Sequence, residues 1–226
     1  MKIHPDDPKA VDISIVSIKE CFSSWIQRED FEGLMEAYLD ALSHIQKSIN
    51  LTSSPLRDDL LKHVQESMEM FFLLNEDKQK SALQLLDIGS GGGFPAIPLA
   101  CAMPSWKIVM TEATQKKAIF LEWIKQGLNL SNAFVHPGRV EDWIEKKPSY
   151  RCDILSAKGV GKASYLLNLA RDLLRPQGLL VLWKSRAEVE DQLRVYPDFV
   201  IKSTHTTLLS KSVLALQFIG KKARVR

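Results

Sequence analysis

One stretch concentrates the residue types that chemistry needs: Asp87-Ile88-Gly89-Ser90-Gly91-Gly92-Gly93-Phe94-Pro95, with four glycines in five positions. Glycine lets a backbone turn tightly and lets a ligand approach without meeting a Cβ, so such a run directly after an apolar segment reads as a binding loop. Pro95 suits the first turn of a following helix. In the Gly-x-Gly-x-x-Gly register of dinucleotide enzymes the run fails from Gly89, because Phe94 stands at the third glycine. From Gly91 it fits with Gly93 and Ala96, which leaves a nicotinamide cofactor open. Asp87, two residues before Gly89, completes instead the Asp-x-Gly-x-Gly-x-Gly form typical of S-adenosylmethionine (SAM) methyltransferases. That ligand carries a sulfonium and an amino-carboxylate, which suit a close glycine backbone beside acids. Glu112, 19 residues past Gly93, is placed to accept two ribose hydroxyls. NAD enzymes place an acid similarly, so Glu112 does not choose between the two.

Other constellations are weaker. Gly159-Val160-Gly161-Lys162-Ala163-Ser164 has the outline of a Walker loop, but Ser156 replaces its first glycine and Ala163 the Ser/Thr after Lys162. The three cysteines, Cys21, Cys101 and Cys152, form no Cys-x-x-Cys pair, which argues against a disulfide framework or a zinc site and fits a reducing cytoplasm. Cys152 opens its apolar run and reads as a core thiol. The five tryptophans, Trp25, Trp106, Trp123, Trp143 and Trp183, fall mostly on apolar faces and are expected in the core.

The elements that must position these residues change character near residue 80. Before it, apolar residues recur at helical spacing: Leu34, Tyr38, Leu42, Ile45 and Ile49 in one stripe, Leu60, Val64, Met68 and Phe71 in another. An earlier helix is expected through Ile13, Val16, Phe22 and Ile26, capped by Asp12, and Asn75–Lys80 reads as a linker. After residue 80, short apolar runs at 82–88, 106–110, 133–136, 152–157 and 178–183 alternate with amphipathic segments at 94–102, 115–128, 140–146 and 162–175. Arg175-Pro176-Gln177-Gly178 reads as a stop and turn. Two last strands, near 199–206 and 213–219, leave no room for a crossover helix and are expected as a hairpin. The whole is an α/β, Rossmann-like doubly wound sheet, mostly parallel with an antiparallel end. Its ligand site is expected at the carboxyl ends of the strands.

Hydrophobic residues at 45% and charged ones at 25% are ordinary globular values. No run of about 20 apolar residues suggests a membrane span, and no apolar segment follows Lys2 as a secretory signal would require. The formal charge of +3 conceals a division. Residues 1–80 carry nine Lys/Arg against fifteen Asp/Glu, while residues 81–226 carry twenty-one against twelve. An acidic front and a basic back permit a polyanionic partner for the back.

On these residues the chain resembles the bacterial small-subunit ribosomal RNA guanine-N7 methyltransferases, the glucose-inhibited division protein B family. The resemblance covers nearly the whole chain. Asp87 to Leu99 is close to the family signature, and Phe94-Pro95-Ala96-Ile97-Pro98-Leu99 is more specific than the glycines. Ile49–Ser53, Lys62–Ser67, Lys116–Leu121, Gly138–Glu141 and Leu182–Lys184 match further stations. The resemblance implies a class I SAM-dependent methyltransferase domain over 81–220, a helical extension over 1–80 and a basic tail over 221–226. It implies SAM contacts for Gly89, Phe94, Glu112, Ala113, Thr114, Val140 and Glu141, and Asp87, Gly91, Gly93 and Lys158 are expected to complete the cofactor site. Candidate contacts to ribosomal RNA are the cations Arg139, Lys158, Lys184 and the 221–226 tail, with His63 and Ser67 one helical turn apart; Lys158 and Lys184 are positioning candidates, and no metal is expected.

The sequence departs from the family by carrying Lys158 where Arg is usual, Glu66 for Asp and Glu112 for Asp. Guanine N7 has an in-plane lone pair and no proton, so no general base is needed, and alignment suffices. A monomer acting on small-subunit RNA or a ribosomal particle in the cytoplasm is expected. The alternatives are a SAM enzyme for another RNA site and a non-catalytic SAM-binding assembly factor.

Overall fold

Seven strands form one sheet in the order β3-β2-β1-β4-β5-β7-β6. The computed structural model describes residues 13–45, 49–52, 54, 56–74, 82–207 and 212–220. The expected Asp12 cap, the linker Asn75–Lys80 and the tail 221–226 lie outside them. In chain order the elements are α1 (Ile15–Cys21), α2 (Phe31–Ile45), α3 (Arg57–Met68) with a 3-10 turn (Glu69–Leu73), then β1 (Gln84–Ile88), α4 (Ala96–Ala102) and β2 (Lys107–Glu112). There follow α5 (Gln115–Gly127), β3 (Ala133–Pro137), α6 (Val140–Lys146), β4 (Cys152–Ala157), α7 (Ala163–Leu173) and β5 (Leu174–Trp183). The last are α8 (Arg186–Leu193), β6 (Phe199–Thr206) and β7 (Ser212–Phe218).

β1 pairs in parallel with β2 on one side and β4 on the other. The chain therefore winds outward through β2 and β3, then returns to start again at β4. The gap between the carboxyl ends of β1 and β4 is the switch point where such sheets bind ligands. β6 and β7 form the expected antiparallel hairpin, and β7 inserts between β5 and β6, so the antiparallel strand lies one in from the edge.

Two cores flank the sheet. On one face Ile18, Phe31, Tyr38, Leu42, Val64 and Met68 from α1–α3 join Leu99 of α4, Leu121 of α5 and Leu85, Ile108 and Ile154 of the strands in a single cluster. The other face is covered by α7, whose Leu166, Leu169, Ala170 and Leu173 pack on Leu86, Leu155 and Leu180. The helical front of the chain thus completes the covering of one side of the sheet.

Some local expectations are corrected. α1 is capped by Ser14, whose hydroxyl accepts from the Ser17 N–H at 3.1 Å. Its buried residues are Ile15 and Ile18, while Val16 is half exposed. The segment 175–178 is a bulge inside β5 and not a turn before it. Pairing with β4 jumps from Cys152–Leu174 to Ile154–Leu179, Gln177 takes a φ of +66°, and Asp153 holds the bulge through Arg175 at 2.6 Å.

Candidate functional site

The glycine run leaves β1 at the switch point, and its shape comes from hydrogen bonds spent inside the protein. Gly89 and Ser90 N–H both donate to the Thr111 carbonyl at 2.9 and 3.1 Å. Gly91 N–H donates to Glu112 Oε2 at 2.9 Å, and Gly93 N–H to the Ser90 carbonyl at 2.7 Å. From the front of the chain, the buried Tyr38 hydroxyl donates to the Gly92 carbonyl at 2.6 Å. Pyrophosphate-binding loops aim their amides at the ligand. Here four consecutive-turn amides already have protein acceptors, which disfavours the dinucleotide register.

Glycine is required at specific points. Gly89 has a φ of +65°, and an added Cβ would lie 2.7 Å from Val160 Cγ2. Gly91 has a φ of +55°, the left-handed region that favours glycine, and its added Cβ would touch the Gly89 and Leu51 carbonyls at 3.8 Å.

Beside this loop lies a cleft of about 620 Å³. Gly89, Ser90, Gly91, Gly92 and Phe94 form one wall, and Lys158, Gly159 and Val160 after β4 form another. Asn50, Leu51, Thr52 and His63 come from the front of the chain, and Lys117 and Trp183 complete the lining. Lys158 is the best-anchored cation there. Its Nζ stands 2.7 Å from Glu66 Oε2 and 3.0 Å from His63 Nδ1, over the rings of Phe94 and Trp183 at 5.6 and 5.9 Å. Glu66 is only 1% exposed, so α3 delivers a buried carboxylate to the end of β4.

Asp87 sits beneath the loop and does not line the cleft. Its register opposite Ser156 lets the Ser156 hydroxyl donate to Oδ1 at 2.7 Å, while Oδ2 is buried without a hydrogen-bond partner. Burial pushes its pKa up to about 7, against the pull of hydrogen bonds from Ser156 and Ser90 and the charge of Lys158.

Of the residues expected at the site, Gly89, Gly91, Phe94, Lys158 and His63 therefore meet at one cleft. Glu112 braces the loop from the end of β2, its Oε1 accepting from Thr114 N–H at 2.8 Å. Ala113 and Thr114 are exposed just past it. Val140 is buried at the start of α6, and Glu141 accepts from Tyr165 at 2.8 Å. Arg139 is exposed ahead of α6, and Lys184 pairs with Glu188 at 3.0 Å.

Ser67 is corrected: it is fully buried and its hydroxyl donates to the His63 carbonyl at 2.6 Å, so it cannot meet RNA. Trp183 lines the cleft and Trp123 is half exposed on α5, against the expectation of core tryptophans. Val160 is a site residue that sequence reasoning missed. Its flanking glycines, Gly159 at φ +74° and Gly161 at φ +45°, were the available signal. Cys152 is a core thiol, raised to about 12 by burial.

Comparison with known proteins addresses the family and the fold. The sequence model of the family described as rRNA small subunit methyltransferase G matches residues 32–216. The protein of that name from Sorangium cellulosum is 39% identical over 155 residues, which cover 68% of this chain and 64% of the relative. The one from Microcystis aeruginosa is 30% identical across 87% of this chain and 91% of its own. Among solved structures, an O-methyltransferase from Bacillus cereus in complex with SAH superposes with a TM-score of 0.58 at 14% identity, covering 89% of this chain and 97% of that one. The fold is that of the class I SAM-dependent methyltransferases. Its sequence, matched by the family model over residues 32–216 and by relatives at 30–39% identity, shows that the chain belongs to the rRNA small subunit methyltransferase G family.

Proposed function

We propose that the protein transfers a methyl group from SAM to N7 of a guanine in 16S ribosomal RNA, by direct in-line attack without a general base. The observation that carries this reading is the cleft: a wall of Gly89, Gly91 and Gly92 facing an ammonium held between a carboxylate and two aromatic rings. The residues fit SAM. Gly89, Gly91 and Phe94 form the floor with Asp87 beneath it, while Gly93, whose added Cβ would meet Ile97 at 2.6 Å and Tyr38 at 2.9 Å, packs inward and shapes the loop. The two Glu112 oxygens each accept one backbone N–H and keep a second lone pair for ribose hydroxyls. Ala113, Thr114, Val140 and Glu141 bound the neighbouring end of the sheet, where the adenine is held. When bound, SAM supplies an activated methyl on a positively charged sulfur.

The rest is positioning. A base stacked at Phe94 and Trp183 presents its edge to the cleft, and excluding water there shortens the path to an aligned attack. The buried acids are not needed to remove a proton, since N7 carries none. Arg139, Lys158 and Lys184 hold RNA phosphates or the base edge. The protein works as a monomer on ribosomal RNA or particles in the cytoplasm, and among the described residues no helix is long and apolar enough to cross a membrane.

The test incubates the protein with labelled SAM and small subunits from cells lacking the modification. Label in 16S RNA at one guanine, with strand scission there after N7-specific reduction and aniline, supports the reading. Label elsewhere, or none, overturns it.

A further inference from the structure

We propose that Lys158 selects guanine by donating to its O6, and that the buried Glu66 is the counter-charge that lets an ammonium do so beside N7. This rests on the guanine-N7 reading above and names how the base is chosen.

N7 alone cannot identify the base, because adenine carries the same acceptor. The neighbouring position differs: guanine shows O6, an acceptor, and adenine shows an N6 amino donor. A side chain that only donates separates the two, whereas hydroxyls and amides can serve either. Asn50, Thr52 and Ser90 on the cleft are of the ambivalent kind. Trp183 Nε1 also only donates, but it is buried out of reach of the cleft, so two ammonium groups remain, Lys117 and Lys158. Lys117 makes no ion pair among the described residues, while Lys158 is fixed by Glu66 at 2.7 Å and His63 at 3.0 Å. A donor held in place before the base arrives discriminates better than one that must be ordered.

Charge explains the carboxylate. Methylation makes guanine cationic, so a bare ammonium next to N7 would oppose the step it helps to select. Glu66, 1% exposed and in contact with Nζ, offsets that charge, while the ammonium, with three protons, can turn one toward the base as it enters. Phe94 and Trp183 turn their ring faces to the same Nζ at 5.6 and 5.9 Å, which further fixes its position.

The experiment uses the full chain and 16S RNA, assembled by ligation, in which the target guanosine is kept or replaced by 2-aminopurine nucleoside. That analogue retains N7 and lacks O6. The readouts are kcat/KM and RNA affinity in the presence of S-adenosylhomocysteine. Wild type should lose about 10- to 100-fold on 2-aminopurine. Lys158→Met should lose a similar factor on guanine and nothing further on 2-aminopurine, Lys158→Arg should keep the preference, and Lys117→Met should keep the wild-type ratio. Glu66→Gln should lower kcat while leaving RNA affinity with S-adenosylhomocysteine intact, since the charge conflict arises only as the methyl arrives. Equal losses for Lys158→Met on both RNAs, or a preference that disappears in Lys117→Met, would overturn the proposal. Wild type that labels no N7 in the guanine RNA would sink the underlying reading as well, a distinguishable result.

Discussion

Replacing Asp87 by Asn should remove a pH dependence of folding that the buried carboxyl imposes. Asp87 is 1% exposed, accepts from Ser156, and leaves Oδ2 without a partner, so ionisation in the folded protein is opposed by lost hydration. Its pKa rises from an ordinary 3.8 to about 7. Between those values the folded state holds a proton that the unfolded chain has lost. This contribution to stability is therefore greatest below pH about 4, falls as pH rises, and levels off above about 7. Each unit is worth about 1.4 kcal/mol, so the fall between pH 5 and 7 is about 2–3 kcal/mol as an order of magnitude.

Asn mimics the protonated acid: Oδ1 still accepts from Ser156, and the amide takes the place of the unpartnered oxygen. Denaturant melts of both proteins at pH 5, 6, 7 and 8 check the reasoning, since titrations elsewhere cancel in the difference. The variant should gain on wild type by about 2–3 kcal/mol across this range, at the cost of weaker SAM binding at pH 8, where the carboxylate should attract a cationic ligand. Parallel pH profiles for the two proteins would refute the placement of this titration at Asp87.

Tyr38→Phe deletes only the hydroxyl that donates to the Gly92 carbonyl, so it should destabilise the protein by about 1–3 kcal/mol and weaken SAM binding through a looser loop. Melting and calorimetry check both. Gly89→Ala meets Val160 at 2.7 Å and a φ of +65°, and should weaken SAM binding at least tenfold. Adding Val160→Ala should recover part of that loss but not the backbone strain, and no recovery would point away from the contact. Lys184→Ala should weaken RNA binding with a shallower salt dependence and leave SAM affinity unchanged, measured by filter binding and calorimetry.

The glycine loop, the strand alternation and the final hairpin were legible because each has a local cause: positive-φ residues, period, and connection length. What escaped depends on contacts between distant segments. Nothing near Glu66 in sequence says that it meets Lys158, and nothing near Trp183 distinguishes a core tryptophan from one facing a cleft. Ser67 shares a helix face with His63, which suggested a common role, but one turn of helix carried it inward. The Arg175–Gly178 stretch has turn residues, yet strand pairing resumed around them and absorbed the excess as a bulge. Val16 and Ile18 were separable only once α2 and α3 were in place to choose the buried side of α1.

The bonds that complete the cleft join Tyr38 to a glycine 54 residues later and His63 to a lysine 95 residues later. During synthesis, the helices made first have apolar faces whose cover, Leu85, Ile108 and Ile154 among it, is made afterwards. Such long-range closure is slow, since each contact must first meet the entropy of the intervening loop. Until α4 and the first strands have emerged, the early helices lack part of their native cover, and binding competence, which needs Lys158 after β4, arrives later still. Pulse-labelling should accordingly detect the Tyr38 and Lys158 neighbourhoods gaining protection together, after the local hairpin of β6 and β7.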